Sequence, residues 1–206
     1  MVSKVYLISG ANRGKLPRQV NVMLRLINIG IGRGLTAEYV SRDNITVIAA
    51  VRDTTKDTSK ALATLPAGRN SKELLVKIDS LSEDDAGNAI ETVLHNSIDH
   101  IDVVIANAGD TKYGPVATLS AEMLKYHINL MTVGPLLLYQ ASWPLLQKSM
   151  HPKFIVISST LGSLVEGPKY GQASGAYGAS KAAINYLLKI IHNENPNLIA
   201  MPICPG

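Results

Sequence analysis

"SGANRGKLPRQVNVMLRLINIGIGRGL", residues 9–35, follows a short apolar run and carries glycines at both ends. The run "KVYLIS" (4–9) reads as a buried strand. A Gly-rich turn after a strand lets the backbone approach a pyrophosphate, and the next helix offers unpaired N–H groups at its N-terminus. A plain turn has the same local sequence, so the stretch alone leaves both readings open. Sixteen residues, Lys15–Gly30, separate "SGANRG" from the resumed "IGRGL". Deleting them restores a continuous "SGANRGIGRGL", and their codons can be written to begin GTAAG within Gly14-Lys15 and end AG across Ile29-Gly30. The expectation is therefore one phosphate loop, split after Gly14 and resumed at Ile31 by a retained short intron, with Gly10, Arg13 and Gly14 at the strand end and Gly32 opening the helix. A genuine loop or short helical excursion is the rival. A third arrangement, "VNVMLRLINI" as a strand feeding "GIGRG", leaves "KVYLISGANRG" without a role.

Outward from this stretch, short apolar runs alternate with helical patterns. "TVIAAV" (46–51), "ELLVKI" (73–78), "DVVIAN" (102–107), "KFIVIS" (153–158) and "LIAMPIC" (198–204) read as buried strands. Helix-like segments fall at about 33–42, 56–65, 83–95, 120–148 and 177–193. Ser82 with Asp85 three residues on resembles a capping box for the third of them. This alternation predicts a doubly wound parallel α/β sheet of Rossmann type, helices on both faces, with ligands at the carboxyl ends of the strands. Without repeats or linkers, residues 1–206 form one domain.

Composition removes several classes. No apolar run reaches the roughly 18 residues of a membrane span, and "MTVGPLLLYQASWPLL" is interrupted by Gly134, Pro135, Gln140 and Pro144. The N-terminus lacks a signal-peptide pattern, and the single Cys204 permits no internal disulfide, which fits a cytoplasmic protein. Lys15, Arg18 and Arg25 all lie in the interrupting stretch, so without it the net charge of +4 falls to +1, and no nucleic-acid footprint is expected. The five histidines and one cysteine make no metal-ligand spacing.

"YGASK" places Tyr177 and Lys181 four residues apart at the start of a helix, on one face. It is the only Tyr-x-x-x-Lys among eight tyrosines. A phenol with an ordinary pKa of about 10 is a poor proton donor-acceptor at neutral pH, and an ammonium beside it lowers that value. An amphipathic helix can carry the pair by chance. Three neighbours reduce that reading: "ISSTLG" (157–162) supplies Ser158 and Ser159 at a strand end, "ANAG" (106–109) closes another strand, and "HINLMTVG" (127–134) puts Asn129 in a mostly apolar helix. An amide there needs partners, as a satisfied core group or as part of a site.

Taken in order, these pieces resemble the short-chain dehydrogenase/reductase family, and within it fungal ketoreductases of aromatic polyketides. The resemblance runs from Lys4 to Gly206 apart from the interruption. It implies that Tyr177 is the general acid in carbonyl reduction and the base in alcohol oxidation, that Lys181 lowers its pKa and holds the nicotinamide ribose, and that Ser159, three residues before Gly162, polarises the substrate oxygen while Ser158 is structural. Asn129 would hold a water linking Lys181 to solvent. Gly10, Asn12, Arg13, Gly14, Ile31 and Gly32 would bind the cofactor with Arg52, Asp79, Asn107, Ala108, Gly109, Lys181, Pro205 and Gly206. Two departures are Ala106 in place of the family's first Asn in "NNAG" and a longer Ser159-to-Tyr177 segment, which would shape a different substrate entrance.

"AAVRD" ends the second strand with Arg52 and no acid at the strand end, Asp53 reading as a loop or cap residue. That favours NADP(H) over NAD(H), because an arginine accommodates the 2′-phosphate. The expected partner is a small carbonyl or alcohol substrate, and the intact family member would be a homo-oligomer. Because the family continues past "PG", the chain is expected to lack a C-terminal substrate-covering segment. A non-catalytic dinucleotide-binding regulator and an inactive fragment are the alternatives.

Overall fold

The computed structural model describes residues 3–12, 30–170 and 173–205. Arg13, Gly14, Gly206 and most of the interrupting stretch lie outside the described residues, so the expectations placed on them are not addressed. Six strands, β1 (Lys4–Ser9), β2 (Ile45–Val51), β3 (Lys72–Lys77), β4 (Val103–Ala106), β5 (Lys153–Ile157) and β6 (Ile199–Ile203), form one sheet in the order β3-β2-β1-β4-β5-β6, and every pairing is parallel. This is the doubly wound order, and the reversal between β1 and β4 opens a crevice at the carboxyl ends.

The helices are α1 (Ile31–Val40), α2 (Asp57–Lys60), α3 (Asp85–His95), α4 (Ala121–Ile128), α5 (Gly134–Leu146), α6 (Gly167–Tyr170) and α7 (Gly175–Glu194). Both faces of the sheet are covered. Ala89, Ile90 and Val93 of α3, Leu138 and Leu145 of α5 and Ile184 and Leu188 of α7 pack with Leu7, Ile48 and Phe154 on one face. Val40 and Leu62 pack with Ile8, Val47 and Ala49 on the other. Leu7, Ile8, Ile48 and Phe154 are fully buried, each such side chain stabilising the fold by about 1.5–3 kcal/mol. Continuous burial along β2 explains why its sequence shows no alternation.

Three elements differ from expectation. The segment 56–65 is helical only over Asp57–Lys60, and the chain then turns to bury Leu62. The single long helix expected over 120–148 opens into a π turn at Asn129–Val133 between α4 and α5. Pro135 sits in the first turn of α5, where its missing N–H is tolerated, and Pro144 lies inside the helix. The third is the start of α3, where Ser82 and Asp85 are bonded differently from a capping box: the Asp85 N–H donates to Ser82 Oγ at 3.3 Å and Ser82 Oγ to Asp85 Oδ1 at 3.1 Å, but the Ser82 N–H goes to the Asp79 carbonyl and the helix starts at Asp85 itself. No helix among the described residues is long and apolar enough to cross a membrane.

Candidate active site

β1 is followed by Gly10, whose φ of +64° is a conformation that glycine adopts without strain. Gly30 precedes α1 as its N-cap, and Gly32 lies in the first turn of that helix. A methyl built on Gly32 would overlap the Gly10 carbonyl and stand 2.5 Å from Asn107 Nδ2. The two ends of the interrupted stretch therefore touch, and only a glycine allows the approach. The β4 end is tied to the same point. Ser9 Oγ accepts from the backbone N–H groups of Asn107 (3.0 Å) and Ala108 (3.1 Å), and Asn107 Nδ2 donates to the Ser9 carbonyl at 3.0 Å. Asn107 thus spends its amide joining strands, and Ser9 is a joining residue that the motif reading passed over.

Beside this turn lies a cavity of about 200 Å³ bordered by Gly10, Asn12, Arg52, Lys56, Asp79 and Ala108. Asn12 Nδ2 donates to Ser59 Oγ at 2.8 Å, pinning α2 to the glycine turn. Asp53 accepts from Thr55 Oγ1 (2.7 Å) and Thr55 N–H (2.9 Å), and those bonds hold its carboxyl below the usual range. It behaves as the loop residue expected, leaving Arg52 and Lys56 as the basic groups on the rim. Asp79 Oδ1 accepts from the Leu81 N–H at 3.0 Å. A glycine turn, a close-packed helix start and a polar cavity at the switch point fit a dinucleotide.

A second cavity, about 300 Å³, is bordered by Ile31, Asn107, Gly109, Asp110, Tyr177 and Lys181. Two expected groups thus gather around two adjoining cavities. Tyr177 and Lys181 project from the first turns of α7, with Lys181 Nζ 5.6 Å from the Tyr177 ring centroid. Lys181 is buried and donates to the Ile157 carbonyl at 2.6 Å. Burial pulls its pKa down to about 8. Ser159 shares a hydrogen bond with the Tyr177 phenol. It also accepts from the Leu161 N–H at 3.2 Å, capping the 3₁₀ turn Thr160–Gly162. Ser158 is buried and donates to Asn185 Oδ1 at 2.7 Å, tying the end of β5 to α7.

Two expectations change here. Burial raises the Tyr177 phenol above its ordinary pKa, and the Ser159 bond only offsets it. The ammonium expected to lower the phenol is itself desolvated and turned toward Ile157. Asn129 opens the π turn with its side chain exposed, outside the residues bordering either cavity. The π turn instead sends Thr132 inward, where its hydroxyl donates to the Ser180 carbonyl at 2.9 Å and braces α7. Pro205 is exposed beside Ile31, Leu35 and Ile157 on the α1 side of the sheet.

Comparison with known proteins agrees with this geometry. Residues 28–206 match the short chain dehydrogenase family, so the match begins within the interrupting stretch. A norsolorinic acid ketoreductase from Dothistroma septosporum is 38% identical over 98% of this chain and 70% of its own length. A short-chain dehydrogenase from Neurospora crassa is 42% identical over 90% of this chain and 74% of its own. Among solved structures, the NADPH-bound carbonyl reductase from chicken fatty liver superposes with a TM-score of 0.80 at 24% identity, covering 100% of this chain and 80% of that one.

Proposed function

The chain belongs to the short-chain dehydrogenase family of oxidoreductases, and on that premise we propose that it interconverts a ketone and an alcohol with NADP(H), using Tyr177, Lys181 and Ser159. The observation that carries this reading is the Tyr177 phenol, hydrogen-bonded to Ser159 and backed by buried Lys181, at a cavity adjoining the glycine turn. When bound, the nicotinamide supplies hydride chemistry. The phenol, protonated at neutral pH and pushed further above its ordinary range by burial, is in the form that donates a proton to a carbonyl oxygen. Ser159 supplies the second hydrogen bond to that oxygen. As the phenolate forms, the Lys181 charge stabilises it more strongly than it would in water, because the ammonium is buried. Arg52 and Lys56, both on the rim of the cavity beside the glycine turn, favour the 2′-phosphate of NADP(H). The relatives named for norsolorinic acid reduction support an aromatic polyketide ketone as the substrate class.

We read residues 15–30 as an interruption of one loop, supported by the Gly10–Gly32 contact. The test is a fluorescence titration with NADPH of the chain with and without residues 15–30, followed by turnover of aromatic ketones. Tighter NADPH binding after the deletion, with turnover, is the expected result. No NADPH binding by either form would reject the dinucleotide reading, and binding without any turnover in a chain carrying the family's C-terminal segment would favour a regulatory protein.

A further inference from the structure

Tyr126 and His127 are consecutive residues near the end of α4; Tyr126 borders the cavity beside the glycine turn, and His127 borders neither cavity. His127 is fully buried, so both ring nitrogens need partners. Its Nε2 lies 3.2 Å from the Lys112 N–H, which can only donate, so Nε2 accepts. Nδ1 then carries the proton and donates to the Met123 carbonyl at 2.9 Å, one turn back along α4. Tyr126 donates through its hydroxyl to Asp110 Oδ2 at 3.0 Å, and Lys112 Nζ stands 4.5 Å from the centre of the same ring. On the far side, the Gly114 N–H donates to the Ala173 carbonyl at 2.7 Å. The loop after β4 is thereby held at alternate residues, Asp110, Lys112 and Gly114. Between these points Asp110 and Thr111 border the Tyr177 cavity, and Tyr113 stands close enough to act electrostatically on the Tyr177 phenol.

We propose that His127, with Tyr126 beside it, is a positioning residue that fixes this loop as one wall of the substrate cavity. The inference rests on reading that cavity as the place where the substrate carbonyl binds. An imidazole suits the position because a rigid ring offers a donor on one side and an acceptor on the other. An aliphatic side chain of similar size would leave the Lys112 N–H and its share of the loop unheld.

The test uses the 206-residue chain and its variants His127→Leu, His127→Gln and Tyr126→Phe. Amide hydrogen exchange is read residue by residue, alongside KM and kcat for an aromatic ketone. In His127→Leu, exchange at Lys112–Gly114 should accelerate about tenfold, the factor carried by one ordinary hydrogen bond, while β1 and β2 keep their protection. KM should rise with little change in kcat. His127→Gln, whose amide oxygen can accept from Lys112, should recover most of both effects. Tyr126→Phe should loosen the loop at Asp110 with the core unchanged, which keeps the test sharp even where His127→Leu folds poorly. Unchanged loop exchange in both His127→Leu and Tyr126→Phe would overturn the proposal, as would acceleration spread evenly through the sheet. A chain that turns over no ketone would count against the functional reading, whereas the exchange result decides the loop's attachment on its own.

Discussion

The two cavities at the carboxyl edge of the sheet are built from chain of different continuity. Around Tyr177 the residues from β5 through α7 run along the sheet edge with only 171 and 172 outside the described set. Around the glycine turn, Gly10 and Gly32 belong to segments separated by the whole interruption, yet they lie so close that a methyl on Gly32 would overlap the Gly10 carbonyl. Strand order and helix packing place β1 and α1 independently of what joins them. The anchoring ends of a loop can thus lie many residues apart in sequence and still stay in register.

The largest effect should come from the continuous side. Tyr177→Phe is expected to lower kcat by about 10²–10⁴-fold, the usual weight of a general acid, with NADPH binding and melting temperature near those of the parent. A smaller loss would move the proton donor elsewhere. On the broken side, Gly32→Ala should destabilise the chain by about 1–3 kcal/mol through overlap with the Gly10 backbone, outweighing the roughly 1 kcal/mol that alanine gains in a helix. Thermal unfolding with and without NADPH would read it, and a neutral result would mean that the two ends do not meet in solution.

Lys181→Met separates activity from stability. Burial lowers the folded pKa from the ordinary 10.5 to about 8, so the unfolded chain binds this proton more readily between those values. The charged lysine therefore destabilises the fold fully below about pH 8, and the penalty fades as pH rises toward about 10.5. The variant should lose turnover yet be more stable at pH 7 by about 1–3 kcal/mol, a gain that shrinks in alkali. Denaturant melts across pH would show it, and equal stability at every pH would mean that Lys181 is solvated. Arg52→Ala should cut preference for NADPH over NADH about tenfold, read as the ratio of kcat/KM. Ser158→Ala, the smallest, should cost about 1 kcal/mol in stability while kcat holds, because its bond to Asn185 ties the end of β5 to α7.

All six strands were legible because each is short, apolar and bounded by turn residues, and the parallel order followed from their alternation with helices. Tyr177 and Lys181 were legible because helical spacing fixes their common face. The π turn was not, since nothing in "HINLMTVG" marks one extra residue in a helical turn. Asn129 stands exposed at the start of that turn, although its apolar neighbours in the sequence suggest a buried amide. The direction of the Tyr177 shift depends on desolvation and on where the Lys181 head points, and neither is a property of spacing. His127 stayed hidden because its partner at Lys112 is a backbone amide, which any residue but proline at that position would supply.

The wider turn between α4 and α5 also acts as a phase shifter. One residue advances a helix by about 100°, so Asn129–Val133 sets the angle at which the side chains before it and after it are dealt to their neighbours. Ahead of it, Tyr126 and His127 face the loop after β4; beyond it, Leu138 and Leu145 face the sheet. Removing one residue from this turn would leave composition and helix length almost unchanged while rotating one set relative to the other by about 100°. In this segment a single-residue deletion acts as a rotation, and it should be felt first at Lys112, where amide exchange would report it.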